Sequence, residues 1–179
     1  MAVLQGKFAF MDCVDFKLYP AGTDVKTGLP QDDPAGTIVI DYLNSSQLTL
    51  EMDTQYARIK GNNAVPFNGN RQGTFVCSAE CIGMEYMAML FGGEIDEPTG
   101  AIKVTGDVPS KGYILAGTFR GKKHGDNSIQ IFEVILYNVV PQPNVDMTLD
   151  ATSIGSFDLT FDVLADEDND IAQIKPKTI

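Results

Sequence analysis

Ser156 to Leu164 reads S-F-D-L-T-F-D-V-L, with Phe157, Leu159, Phe161 and Val163 at one parity and Asp158, Thr160 and Asp162 at the other. Strict period-2 alternation puts the apolar set on one face of a β-strand and the polar set on the other, which no helix can do. The same signature recurs along the chain. Gln47 to Asp53 places Leu48, Leu50 and Met52 on one face, and Lys7 to Tyr19 alternates through Phe8, Phe10, Val14, Phe16 and Leu18. Thr37 to Tyr42, Gly73 to Ile82, Ala101 to Val108, Tyr113 to Arg120 and Ser128 to Val140 are further strand segments. Val145 to Asp150 and Ile171 to Ile174 are shorter ones. With 17 Gly and 9 Pro punctuating these segments, the expected fold is mostly β, a sandwich or barrel-forming sheet. A single helix is predicted over about residues 83–92, where G-M-E-Y-M-A-M-L-F ends in Gly92-Gly93. It is apolar nearly all round, so it must pack on a sheet, with Met84, Met87 and Met89 as gap-filling core.

The 179 residues suit one domain, 1–179, with neither an internal repeat nor a linker. Pro20 to Gly36 is a long polar loop, of a length that is usually functional in compact domains. Lys60 to Asn70 is a second polar, Gly- and Asn-rich loop. Gly121 to Asn127 is a hairpin loop with basic residues at its tip, and Pro141 to Asn144 breaks the chain. No apolar run approaches the roughly 18 residues that cross a bilayer, and no basic-then-apolar leader opens the sequence, so a cytoplasmic site of synthesis is expected. The formal net charge is −11. That balance opposes ordinary nucleic-acid binding and suits either solubility or a surface past which DNA slides without sticking.

Nothing assembles into a catalytic, cofactor or metal site. His124 is the only histidine and sits in a Gly- and Lys-rich turn without a neighbouring nucleophile. Gly69 to Gly73 reads as a turn before a strand, lacking a Walker lysine and a following helix. Asp166, Asp168 and Asp170 have the spacing that begins a calcium loop, yet Ile171 occupies the position of its turn glycine and the bidentate acid is missing. Cys13, Cys77 and Cys81 do not make a disulfide framework. Cys77 and Cys81, four strand residues apart, are separated by about 13 Å, too far for a bridge.

Two stretches together resemble a known family. The first combines Tyr56-Ala57-Arg58-Ile59-Lys60-Gly61, Asn68-Gly69-Asn70-Arg71-Gln72-Gly73-Thr74-Phe75 and Glu85-Tyr86-Met87-Ala88-Met89-Leu90-Phe91-Gly92-Gly93. The second is Ser156 to Asp170 with its acidic turn. They resemble the tail tube (major tail) proteins of phages of Gram-positive hosts, over about two-thirds of the chain (Leu48 to Ile174); the Pro20 to Gly36 stretch departs from that pattern. The resemblance implies a non-enzymatic virion protein of the tail, whose β-sandwich subunits close into hexameric rings. The rings stack into a tube with an acidic channel for DNA passage during ejection. The implied partners are other copies of itself, the tape measure protein, and terminator and baseplate proteins, with neither specific DNA binding nor a membrane. The same subunit logic serves contractile and non-contractile tails, bacteriocins and injection machines.

Closure into a barrel removes open strand edges, which are otherwise an aggregation hazard. On this reading Ala101 to Arg120 and Ser128 to Val140 are the expected inner strands. The loops Pro20 to Gly36 and Lys60 to Asn70 are expected to order on ring-to-ring contact. The candidate interaction residues are Gly36, Lys60, Gly61, Asn62, Asn63, Arg71, Lys122 and Lys123. Two other classes compete. One is a β-sandwich that decorates a capsid or binds carbohydrate, which the absence of Trp disfavours; the weaker one is an enzyme, which lacks a convergent polar site.

Overall fold

The computed structural model describes residues 8–40, 43–59, 62–79, 83–90, 93–96, 98–104, 111–125, 128–142, 146–147 and 157–177, with the backbone alone at 8–14, 44, 52–59, 62–70, 90 and 146–147. In chain order the elements are β1 (Phe8–Pro20), β2 (Ile38–Ile40), β3 (Leu43–Ile59), β4 (Asn62–Ala79) and helix α1 (Met84–Leu90). There follow β5 (Glu94–Asp96), β6 (Ala101–Lys103), β7 (Tyr113–Lys123), β8 (Ile129–Pro141), β9 (Asp146–Met147), β10 (Phe157–Leu164) and β11 (Ala172–Pro176). The protein is mostly β with one short helix.

Nine strands make one antiparallel sheet in the order β2-β1-β7-β8-β10-β4-β3, with β11 joined to β8 and β9 to β10. Strand β8 binds β7 along one edge. Its other edge is shared, with Phe132 to Leu136 pairing β11 and Asn138 to Pro141 pairing β10. The sheet coils until strands that are not ladder neighbours meet: the Phe16 ring of β1 lies 5.2 Å from that of Phe75 of β4, which in turn lies 6.2 Å from Phe161, its cross-strand partner on β10. Around these rings Leu18, Leu115, Leu136, Val139, Leu159 and Val163 form the main core, with Tyr86 and Met89 of α1 packed into it. The alternation of β10 predicts its burial residue by residue, since Leu159, Phe161 and Val163 are buried and Asp158 is exposed. Gly117 sits where a Cβ would collide with the Phe16 ring, so the core needs glycine there.

Alternate residues of β1, β7 and β8 point the other way and build a second, smaller cluster. Tyr19, Ile114, Ala116, Ile135 and Tyr137 are covered by Val25 and Leu29. That cover comes from residues 21–36, a strap without regular structure laid across the outer face.

Three expectations change. Ala101 to Val108 is not a long sheet strand. Only Ala101–Lys103 is extended, and it pairs with Glu94–Asp96 in a separate two-stranded sheet, while 105–110 lie outside the described residues. The inner-strand reading of that segment therefore has no support in the main sheet. Of the predicted core methionines, Met89 is buried, Met87 half-buried and Met84 exposed. Gly69 to Gly73, read as a turn, is interior to β4.

Candidate assembly surfaces

The β3–β4 hairpin is far longer than the sheet that holds it. Strand β10 pairs with β4 from Ala79 to Gly73 and no further, whereas β3 and β4 remain paired to Ile59↔Asn62. Beyond Gly73, the described backbone of these two strands pairs only with itself. At about 3.3 Å per residue, Asn62 to Arg71 extends about 30 Å as a two-stranded arm. Gly73 marks its root: a Cβ there would stand 2.5 Å from the Thr49 carbonyl oxygen and 2.6 Å from Leu50 Cδ2. Register shifts at Met52/Thr54 and Ala57/Arg58 interrupt its regularity. Pro66, opposite Tyr56, fits because β4 has only one ladder neighbour there.

This arm corrects the reading of Lys60 to Asn70 as a loop. Glycine, proline and asparagine suggested turns, but cross-strand pairing overrides local propensity. Lys60 and Gly61 lie outside the described residues. Asn62 and Asn63 are strand residues at the far end of the arm, opposite Ile59 and Arg58. Arg71 is exposed at its base, opposite Met52.

The strap is the second surface, and it is fastened rather than free. Val25 is only 1% exposed, and Lys17 pairs with Asp33 at 2.7 Å. Lys26 reaches Asp166 at 3.1 Å, Asp168, and Asp170 at 3.8 Å, with its ammonium 5.6 Å from the centre of the Tyr137 ring. The hydrogen bonds to Asp168 and Asp166 raise the Lys26 pKa, so the ammonium holds its charge throughout the ordinary pH range. The calcium-like spacing of these aspartates thus gathers a side-chain cation. Asp166 also organises its own turn: its Oδ1 accepts the Asp168 N–H at 3.0 Å and the Asp170 N–H at 2.8 Å. The Asp170 backbone bond leads in lowering the Asp166 pKa, against a smaller opposing effect of desolvation and with Lys26 adding to it. Asn169 takes the left-handed conformation (φ 65°) that closes the loop.

Between strap and acidic turn lies a cleft of about 600 Å³. Its walls include Asp24, Lys26, Gly112, Tyr137 and Asp166 to Asp168. Gly36, at the far end of the strap, has φ 86°, which gives it a backbone role whatever else it does. Replacing it with a bulky residue strains the fold, so such a change perturbs the subunit itself as well as any interface.

The third surface is the β7–β8 hairpin end. Lys122 and Lys123 are paired with Ala9 and Phe8 of β1, and the Lys123 N–H donates to the Ser128 carbonyl at 2.9 Å. His124 is exposed in the turn beyond. The candidate residues therefore separate into the arm (Asn62, Asn63, Arg71), this hairpin end (Lys122, Lys123) and the strap (Gly36). Sequence reading missed Lys26, Asp33 and the Glu133–Lys175 pair, 3.1 Å apart with Glu133 buried. The available signal was the apolar pair Val25 and Leu29 inside a polar stretch, which marks a segment with something to cover. Among the described residues, no cluster of His, Cys, Asp and Glu could hold a metal ion.

No known protein family and no curated protein matches this chain. Solved structures do. A chain from the tail of an empty GTA particle with C6 symmetry aligns at a TM-score of 0.39 and 11% identity, covering 82% of this chain and 92% of its own length. A chain of the anti-feeding prophage cap, which terminates the AFP tube, aligns at 0.43 and 15% identity, covering 98% and 97%. Similarity at this level carries no functional conclusion to this chain.

Proposed function

We propose that this chain, acting as a single domain over 1–179, is a structural subunit of a phage or phage-like tail tube. Its copies form hexameric rings that stack around a channel for DNA, and its further partners are the tape measure, terminator and baseplate proteins of that tail. The observation that carries this reading is the β3–β4 arm, whose described backbone pairs with no third strand. An isolated two-stranded hairpin is marginal in water, so one extending about 30 Å past its last sheet neighbour calls for a partner. Among the described residues the outer edges of β3 and β2 pair with no further strand, which adds to the case, because exposed edges are templates for strand addition by another chain. Net charge of −11 suits a wall past which phosphates must move. A decoration module would have no comparable use for the arm.

Substituting bulky residues at Gly61 to Asn63 tests the assignment. The altered protein is expected to melt like the parent and to stay monomeric by light scattering at concentrations where the parent forms multimers. Multimers of unchanged size and onset would overturn the role of the arm tip.

A further inference from the structure

The charge of the subunit is polarised along its strands. Strand β7 runs from Tyr113, beside the cleft, to Lys123 at the hairpin end, a span of about 33 Å. The hairpin end is basic in balance: Arg120 and Lys122 are exposed, Lys123 is half-buried and His124 is exposed, against the single acidic residue of the Gly121 to Asn127 sequence, Asp126. Around the cleft stand Asp24, Asp166, Glu167, Asp168 and Asp170 against Lys26, with Lys111 beside Gly112. Through the ladders β4–β10–β8–β7, the arm runs from Gly73 to Asn62 in the same sense as β7 from Tyr113 to Lys123. On a chain of net charge −11, exposed basic residues of the β7–β8 hairpin thus stand at one end of β7 and an acidic cleft opens at the other.

We infer that the acidic cleft between the strap and the Asp166–Asp170 turn receives the basic end of a second copy, led by Arg120 and Lys122, which share one face of β7. This inference rests on the self-assembly reading and names the surfaces that meet. Opposite charge at opposite ends is the condition for a heterologous, head-to-tail contact, in which each copy offers one surface and accepts the other. A like-ended pairing would set acid against acid, so the charge pattern also fixes polarity. The cleft keeps an acidic excess after Lys26 is paired, and Tyr137 supplies an aromatic wall. The attraction weakens with salt, because the screening length falls from about 10 Å at 0.1 M to about 3 Å at 1 M.

Charge reversal on the full chain tests the contact. Arg120→Glu with Lys122→Glu alters the basic end; Glu167→Lys with Asp168→Lys alters the cleft and leaves Asp166 to close its turn. Each double variant is expected to raise the concentration at which multimers appear by at least about tenfold while melting close to the parent. Mixing the two is expected to give a one-to-one complex that neither forms alone, and the quadruple variant is expected to polymerise again. If the double variants assemble like the parent, or fail and the quadruple variant fails too, the pairing of these surfaces is wrong while self-assembly stands. If the parent itself remains monomeric at every concentration and salt, the self-assembly reading falls with it.

Discussion

Strap and arm look alike in sequence and behave oppositely in the fold. Residues 21–36 and 60–70 are both polar, rich in Gly, Pro and Asn, and placed between strands. The strap has no regular structure, yet it is fixed to the sheet by one buried valine, a half-buried leucine and a set of ion pairs. The arm is paired strand along its described length, interrupted only by two register shifts, yet its described backbone bonds reach no third strand. Regularity and attachment are therefore separate properties. A ladder satisfies backbone groups, whereas attachment comes from apolar area withdrawn from water. The strap belongs to the folded subunit, and the arm is the part that the proposed assembly assigns to a partner.

That contrast breaks most readily at the strap's anchor. Val25→Asp puts an unpaired carboxylate against Ile114, Ile135 and Tyr137, and is expected to cost about 3 kcal/mol in denaturant unfolding. If stability is unchanged, the strap is not part of the core. A slightly smaller loss, about 2 kcal/mol, is expected of Gly73→Ala, because its Cβ meets backbone as well as the Leu50 side chain at the arm's root. A neutral Gly73→Ala would show that arm and sheet are not rigidly joined.

Acid sharpens the comparison from the other side. The folded-state pKa of Asp166 is lowered, so its contribution is fully present above the ordinary carboxylate value of about 4 and is lost as pH falls through the depressed one. Below about pH 4, the exchange protection of the Asp168 and Asp170 amides, relative to an unstructured chain at the same pH, should be lost before that of the β7–β8 ladder. Simultaneous loss of both would contradict a separable strap latch. The smallest effect on stability is expected from excising Thr54 to Asn68 and closing the hairpin with a two-residue turn. The unfolding free energy should move by no more than about 0.5 kcal/mol, while multimer formation should disappear.

Where one face of a strand meets the core and the other meets solvent, the sequence carried the answer. Strand β10 shows this with its phenylalanines, leucine and valine at one parity, and the basic tip of the β7–β8 hairpin was equally plain. The arm was not legible, because nothing in Asn62 to Asn70 alternates against a core. Its strands are specified by pairing with each other, a non-local property that Gly, Asn and Pro disguise. The strap's attachment was hidden for a related reason. Lys26 and Asp166 are far apart in sequence, so neither predicts the other, and only Val25 and Leu29 hinted that the segment covers something. Gly36 was chosen for an interface, whereas its φ of 86° shows a local turn requirement.

Electron microscopy of the concentrated, purified protein tests the central claim most directly. Hollow rings or tubes of uniform width, with six subunits around the axis and the arm of each ring seated on the next, are the predicted result. A protein that stays a discrete monomer at high concentration and low salt, its arm packed against nothing, would contradict the account.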